Sequence, residues 1–300
     1  LPITLACVCR ALTGPININN DHSDAMNARD AGWIQIYAEN NQEAYDNYLQ
    51  AMPIAEHPDV RLPIMICQDG FITSHSVENI DLLEDESVRS FVGEYTPENY
   101  LLKHDNPLAV GPYGVSAYYM EAKMAQAQAM VNAKQVILNV GKDFGALSGR
   151  SYGLFESYCM DDAEEAIVLI GSSAGTARVC VDALRSAGRK VGMIKLRVYR
   201  PFPGEELADA LKQVKAVAVM DKCESYSTHG GPLGAELRSA LYDAELHPLL
   251  INFVYGLGGR DFAVSDCKTV FDALDNALEA GSAKPVYRHL GQRGGDLSGL

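Results

Sequence analysis

The sequence predicts an α/β fold built as two open, mostly parallel sheets in succession. Short apolar runs of strand length alternate with helical patterns through both halves of the chain. Between residues 84 and 106 that rhythm breaks down into acidic, proline-interrupted sequence. It then resumes after a long helical stretch, which sets the division near residue 155.

In the first half, residues 2–8, 33–38 and 62–67 read as strands, separated by helices over 24–31 and 41–56. Asp21 with Asp24 three residues on resembles a capping box. Asn40 or Asn41 can cap the helix that places Ala44, Tyr48, Ala51 and Ala55 on one face. The 84–106 excursion is expected on the surface, and the spacing of Met120, Met124, Ala127, Val131 and Val136 predicts a long helix over 116–140. In the second half, strands are expected at 166–170, 191–196, 216–221 and 249–254, with helices at 176–187, 205–214, 232–242 and 265–280. Pro201 and Pro203 stiffen the turn before the second of these helices. The expected units are thus 1–155, 156–285 and a C-terminal tail over 286–300.

Composition excludes several functions. Of the 300 residues 47% are apolar, enough for a sizeable core in each unit. The formal net charge of −14 argues against nucleic-acid binding, which needs a basic face. No apolar run approaches the roughly eighteen residues of a membrane span, and no signal-peptide pattern is present, so a cytoplasmic protein is expected. The seven cysteines are scattered with no Cys-x-x-Cys, as in reduced core residues. An iron–sulfur cluster would need its own cysteine run and is therefore expected on another polypeptide. Leu1 opens directly into a strand-like run with no initiator Met, which reads as a fragment.

Polar residues gather where strands end, the usual place for binding sites in open α/β sheets. Arg10 directly follows the first strand and could grip a carboxylate through a bidentate fork, or be an ordinary ion-pair arginine. Asp21, His22, Ser23 and Asp24 could serve acid–base chemistry, although the spacing fits no standard metal motif and helix capping explains Asp21 and Ser23 equally well. No metal site is expected. Asp69, Gly70 and Phe71, then Thr73, Ser74 and His75, follow the third strand, and Gly70 permits a sharp turn there. Residues 171–175 (GSSAG) tempt a phosphate-loop reading but match neither GxGxxG nor GxxxxGK[ST]; a tight turn is the simpler account. Cys223 and His229 could suggest a nucleophile pair, yet nothing orients them.

Four pieces of sequence, in order, carry a family resemblance: residues 21–46 from DHSD to QEAYD, the LPIM..QDGF..SH loop, the LRVYRPFP turn and GLGGRD. Together they resemble the 2-oxoacid:ferredoxin oxidoreductases of the pyruvate:ferredoxin oxidoreductase type, specifically the α subunit of the multi-subunit form, over about residues 1–272. The resemblance implies two thiamine-enzyme-type domains: a pyrimidine-side domain followed by one like the C-terminal domain of transketolases. It implies oxidative decarboxylation of a 2-oxoacid to its acyl-CoA, with electrons passed singly to iron–sulfur clusters and ferredoxin or another acceptor. Arg10 would hold the substrate carboxylate. Asp21, His22, Asp24, Ser74 and His75 would lie near substrate or support that arginine. Arg260 and Asp261 of the GLGGRD turn would bridge domains or subunits.

The resemblance also implies what lies elsewhere. The catalytic glutamate of the family is expected upstream of Leu1. Thiamine diphosphate with its Mg would be shared with a β subunit, and 4Fe–4S clusters would be carried by other subunits, γ and a ferredoxin-like δ among them. Pyruvate is the base expectation; phenylglyoxylate or 2-oxoisovalerate would need only a different apolar pocket. A transketolase-like or acetolactate-type enzyme is the runner-up, and a non-catalytic α/β scaffold is the alternative of another class.

Overall fold

The computed structural model describes residues 1–294 apart from 13, 110, 112 and 228. Most of the predicted 286–300 tail therefore falls within the structure, while residues 295–300 lie outside the described residues.

Three predicted strands form at the start of the chain: β1 (Thr4–Cys9), β2 (Ile34–Tyr37) and β3 (Ile64–Asp69). β3 lies between the other two, parallel to both, with Cys7 opposite Cys67 and Cys9 opposite Asp69. Successive residues point to opposite faces, so Ile64 and Ile66 pack on one side and Met65 and Cys67 on the other. The first side is covered by α2 (Asn41–Glu56) and by the helix that follows residue 118. Asn40 caps α2 by accepting the Glu43 N–H, one of the two candidates the sequence offers. α1 is short, Ser23–Asn27, and lies on the opposite side.

The excursion after β3 is largely exposed and contains only one short helix, α3 (Asp85–Val92). Val77, Leu82, Leu101, Leu102 and Tyr113 all show apolar surface to solvent there. α4 runs from Tyr119 to Ser148, extending eight residues past the predicted end; its inner half buries Ala133, Ile137 and Phe144. It stops where Gly149 takes the left-handed conformation that terminates helices.

The second sheet has six strands in the order β10-β9-β8-β5-β6-β4. The four predicted strands are β5 (Glu165–Ile170), β6 (Val191–Leu196), β8 (Ala216–Asp221) and β9 (Leu249–Val254), all mutually parallel. The sequence reading did not foresee the two edges: β4 (Phe155–Tyr158), antiparallel to β6, and β10 (Tyr287–His289), parallel to β9 and taken from the expected tail. α5 (Ser173–Ser186) and α8 (Val264–Ala280) cover one face, and α6 (Gly204–Ala210) with α7 (Pro232–Asp243) cover the other.

A third unforeseen strand joins the two sheets. The chain leaves β6 and, with only Arg197 between, enters β7 (Val198–Arg200), which pairs antiparallel with β2 as the fourth strand of the first sheet. One apolar core accordingly runs without a break from Cys9, Tyr37 and Cys67 of the first sheet to Val168, Val219 and Leu237 of the second unit.

Candidate active site and its family

The carboxyl ends of β1 and β3 place the predicted site residues side by side. Arg10 begins where β1 ends, and its backbone N–H donates to Asp24 Oδ2 at 2.9 Å. The second Asp24 oxygen accepts the Ala25 N–H. The expected capping box is therefore absent: His22 occupies the N-cap position without a side-chain cap, because Asp24 is turned toward Arg10. Asp21 does accept the Ser23 N–H at 2.7 Å, as a local turn group. Burial is the main cause that raises the Asp24 carboxyl to about 6.

The Arg10 guanidinium carbon lies 5.2 Å from the center of the Phe71 ring. His75 stacks on the same ring at 4.1 Å, nearly parallel, and its Nδ1 lies 2.8 Å from Ser74 Oγ. Gly70 has to be glycine for this approach, since a Cβ there would sit 2.7 Å from the Cys9 carbonyl oxygen and 3.0 Å from Arg10 Cγ. Arg10 Nε is buried and has no hydrogen-bond partner among the described residues. Arg10 itself is half-buried. In the segments that follow β1 and β3, Leu12, Ile16, Ile18 and Ile72 expose apolar surface.

His22 turns the other way, into a buried polar knot at the junction of the sheets. Its Nε2 donates to Asp69 Oδ1 at 2.7 Å, while its ring lies 5.3 Å from that of Tyr37. The other Asp69 oxygen accepts from Lys222 Nζ at 2.6 Å and from both the N–H and the hydroxyl of Ser172, at 3.0 and 2.5 Å. Burial alone would raise the Asp69 carboxyl, but the charges of Lys222 and His22 prevail and hold it well below the usual carboxylate range. The GSSAG turn, which tempted a phosphate-loop reading, thus presents its free N–H to the protein's own carboxylate. The sequence reading took Asp69 as part of a strand-end loop and Ser172 as part of the GSSAG turn, and it missed Lys222 and the joining of the three.

Further contacts between the two units surround this knot. Lys195 lies among Glu39, Glu43 and Glu156 at 2.8, 2.5 and 2.9 Å, and Arg178 also pairs with Glu39 and Glu156. In the GLGG turn, Gly258 and Gly259 approach Asn17 and Asn19 so closely that a Cβ on either would collide with them. These glycines make an inter-unit contact, and the guanidinium of Arg260 donates to the Gly291 carbonyl. Cys223 and His229 bring no nucleophile pair into this site; burial pushes the Cys223 thiol up to about 12.

Comparison with known proteins agrees with this architecture. The thiamine diphosphate-binding family of pyruvate flavodoxin/ferredoxin oxidoreductases matches residues 1–142, and the pyruvate:ferredoxin oxidoreductase core domain II matches residues 163–267. The pyruvate synthase subunit PorA of Thermotoga maritima is 46% identical over 294 residues, covering 98% of this chain and 74% of that protein. The chain belongs to the 2-oxoacid:ferredoxin oxidoreductase family, as an α subunit. PorA of Methanocaldococcus jannaschii is 42% identical, covering 92% of this chain and 71% of that protein. The ketoisovalerate oxidoreductase subunit VorA of Pyrococcus abyssi is 40% identical, with 94% and 71% covered. A 2-oxoglutarate:ferredoxin oxidoreductase from Magnetococcus marinus shares the fold at a TM-score of 0.58 and 13% identity, over 93% of this chain and 48% of that one. The α subunit therefore consists of the thiamine-enzyme-type α/β domains that the resemblance implied.

The residues of the α subunit suit one side of a thiamine site. Arg10, with an orphaned buried Nε, suits an anionic substrate. Glu39, Glu43 and Glu156 form the one carboxylate cluster with metal-like spacing among the described residues, and Lys195 and Arg178 already neutralize it. That cluster is thus already matched by the protein's own cations. No helix among them is long and apolar enough to cross a membrane.

Proposed function

We propose that this α subunit orients pyruvate in a cytoplasmic, multi-subunit pyruvate synthase, with residues 1–155 as the pyrimidine-side unit and 156–285 as the transketolase-like unit. The single observation that carries the reading is Arg10. A partnerless buried donor at the end of a parallel strand, backed by an aromatic ring, is arranged to receive an anion. A β subunit would hold thiamine diphosphate and Mg, while γ and δ subunits would carry the 4Fe–4S clusters toward ferredoxin. The exposed apolar side chains of Leu12, Ile16, Ile18 and Ile72, in the segments after β1 and β3, support a companion chain covering this end of the sheet.

Thiamine diphosphate, when bound, supplies the electron sink for loss of carbon dioxide. The protein's part is orientation and exclusion of water. Arg10 would grip the 2-oxoacid carboxylate and fix the direction of the keto carbon. Phe71 and His75 hold the guanidinium from behind, and Ser74 fixes His75. Asp24 pins the Arg10 backbone, with Asp21 shaping the preceding turn. His22, fixed by Asp69, joins the floor of the site to the second unit.

Arg10→Ala in the assembled complex tests this. We expect kcat/KM for pyruvate to fall about 30- to 1,000-fold, or about 2–4 kcal/mol, with thiamine retention unchanged. Equal loss of cofactor would make Arg10 structural and refute the assignment. The 40% identity to VorA also favors a second reading, 2-oxoisovalerate as substrate. A higher kcat/KM for 2-oxoisovalerate than for pyruvate would establish it.

A further inference from the structure

Three thiols converge on one face of the first sheet, outside the contacts described above. Cys7 and Cys9 are two residues apart on β1 and so point the same way, and Cys67 is the register partner of Cys7 on β3. The Cys7 and Cys9 sulfurs are 4.0 Å apart, and all three sulfurs lie within 4.8 Å of one another. All three cysteines are free; Cys9 and Cys67 are fully buried, and Cys7 is partly open to solvent.

A cation bound in a plane by three thiolates at about 2.3 Å sets its sulfurs about 4.0 Å apart. The cluster already has one such edge, and the others need to close by less than about 1 Å to bring metal–sulfur bonds to that length. Among the described residues no histidine or carboxylate completes the group, so it offers three soft ligands. Three thiolates alone suit a thiophilic ion of the Cu(I) class, whereas Mg and Ca need oxygen ligands and structural zinc a fourth donor.

We propose that Cys7, Cys9 and Cys67 form a trigonal thiolate site for a Cu(I)-class cation where β1 and β3 lie side by side. Each sulfur–metal bond replaces a sulfur–hydrogen bond and releases a proton, and the metal keeps its oxidation state. Arg10 follows Cys9 directly, and Asp69 lies two residues beyond Cys67, so occupancy would hold the strand ends that carry the proposed active site.

The test is anaerobic titration of the purified complex with Cu(I), supplied as its acetonitrile complex against a competing chromophoric chelator, beside the Cys7→Ser and Cys67→Ala variants. Cluster-bearing subunits contribute equally to all three samples, so their copper cancels. The wild type should retain one more equivalent per α chain than either variant, and the absorption fine structure of that extra copper should fit three sulfurs at about 2.3 Å. Cys7→Ser, at the partly open position, guards against loss of folding in Cys67→Ala. Equal retention in wild type and Cys7→Ser would overturn the proposal. So would a disulfide between Cys7 and Cys67 with no copper retained.

Discussion

Replacing Asp69 with asparagine removes the one anion that three groups from distant parts of the chain share. Asp69 is fully buried and accepts four hydrogen bonds, from His22, Lys222 and twice from Ser172. An asparagine would offer one acceptor oxygen in place of two and turn an NH₂ group toward donors. Lys222, itself 3% exposed, would keep its charge with no counterion. Breaking a buried pair in this way costs about 3–5 kcal/mol. With an unfolding entropy of about 2.1 cal/mol/K per residue, a chain of this length should lose about 5–8 °C in Tm, read by circular dichroism. Lys222→Met should be costly too, but the double variant should fall short of additivity by about 2–3 kcal/mol, since neither charge is then stranded. Acid titration gives a second readout: the folded-state pKa is depressed, so the contribution of Asp69 is complete above the unfolded value of about 3.9 and is lost only as pH falls well below it. Asp69→Asn should lack that acid-side loss. A Tm drop under about 2 °C, or strict additivity in the cycle, would refute the argument that this carboxylate holds the sheets together.

Further predictions concern neighboring positions. The Asp24 pKa is raised to about 6, so between about pH 4 and 6 the folded chain keeps a proton that the unfolded chain has lost, and stability falls as pH rises through that window. Asp24→Asn should remove this slope, about 1–2 kcal/mol after allowance for solvent screening; urea midpoints at pH 4 and 7 would show an unchanged slope if the reasoning is wrong. Gly141→Ala should destabilize by about 1–3 kcal/mol despite the better helix propensity of alanine, because the new Cβ would run into the Tyr152 carbonyl oxygen. A urea midpoint at or above that of the wild type would show that the backbone gives way.

The parallel strands were readable because buried strands are continuous apolar runs with turn residues at their ends. β4, β7 and β10 were not, since each has only three or four residues and all three are sheet edges, where alternation is too short to register. That Arg10 and His75 lie at the same end of the sheet followed from their places after β1 and β3. The knot around Asp69 did not, because its partners Ser172 and Lys222 are 103 and 153 residues away and their own neighborhoods read as ordinary turns. Asp24 shows a local signal overruled: its spacing fits a cap, yet the nearby Arg10 N–H was the donor it took. The cysteines look scattered in sequence, and only the β1–β3 register brings three of them together.

The crossing of β7 into the first sheet laces the subunit shut. A cut in the 159–163 link would not release two self-sufficient halves, since the front one would forfeit its fourth strand and the back one would be left with a loose tongue. Hinge motion about that link is blocked for the same reason. The largely exposed arm after β3, by contrast, is left outside this lacing.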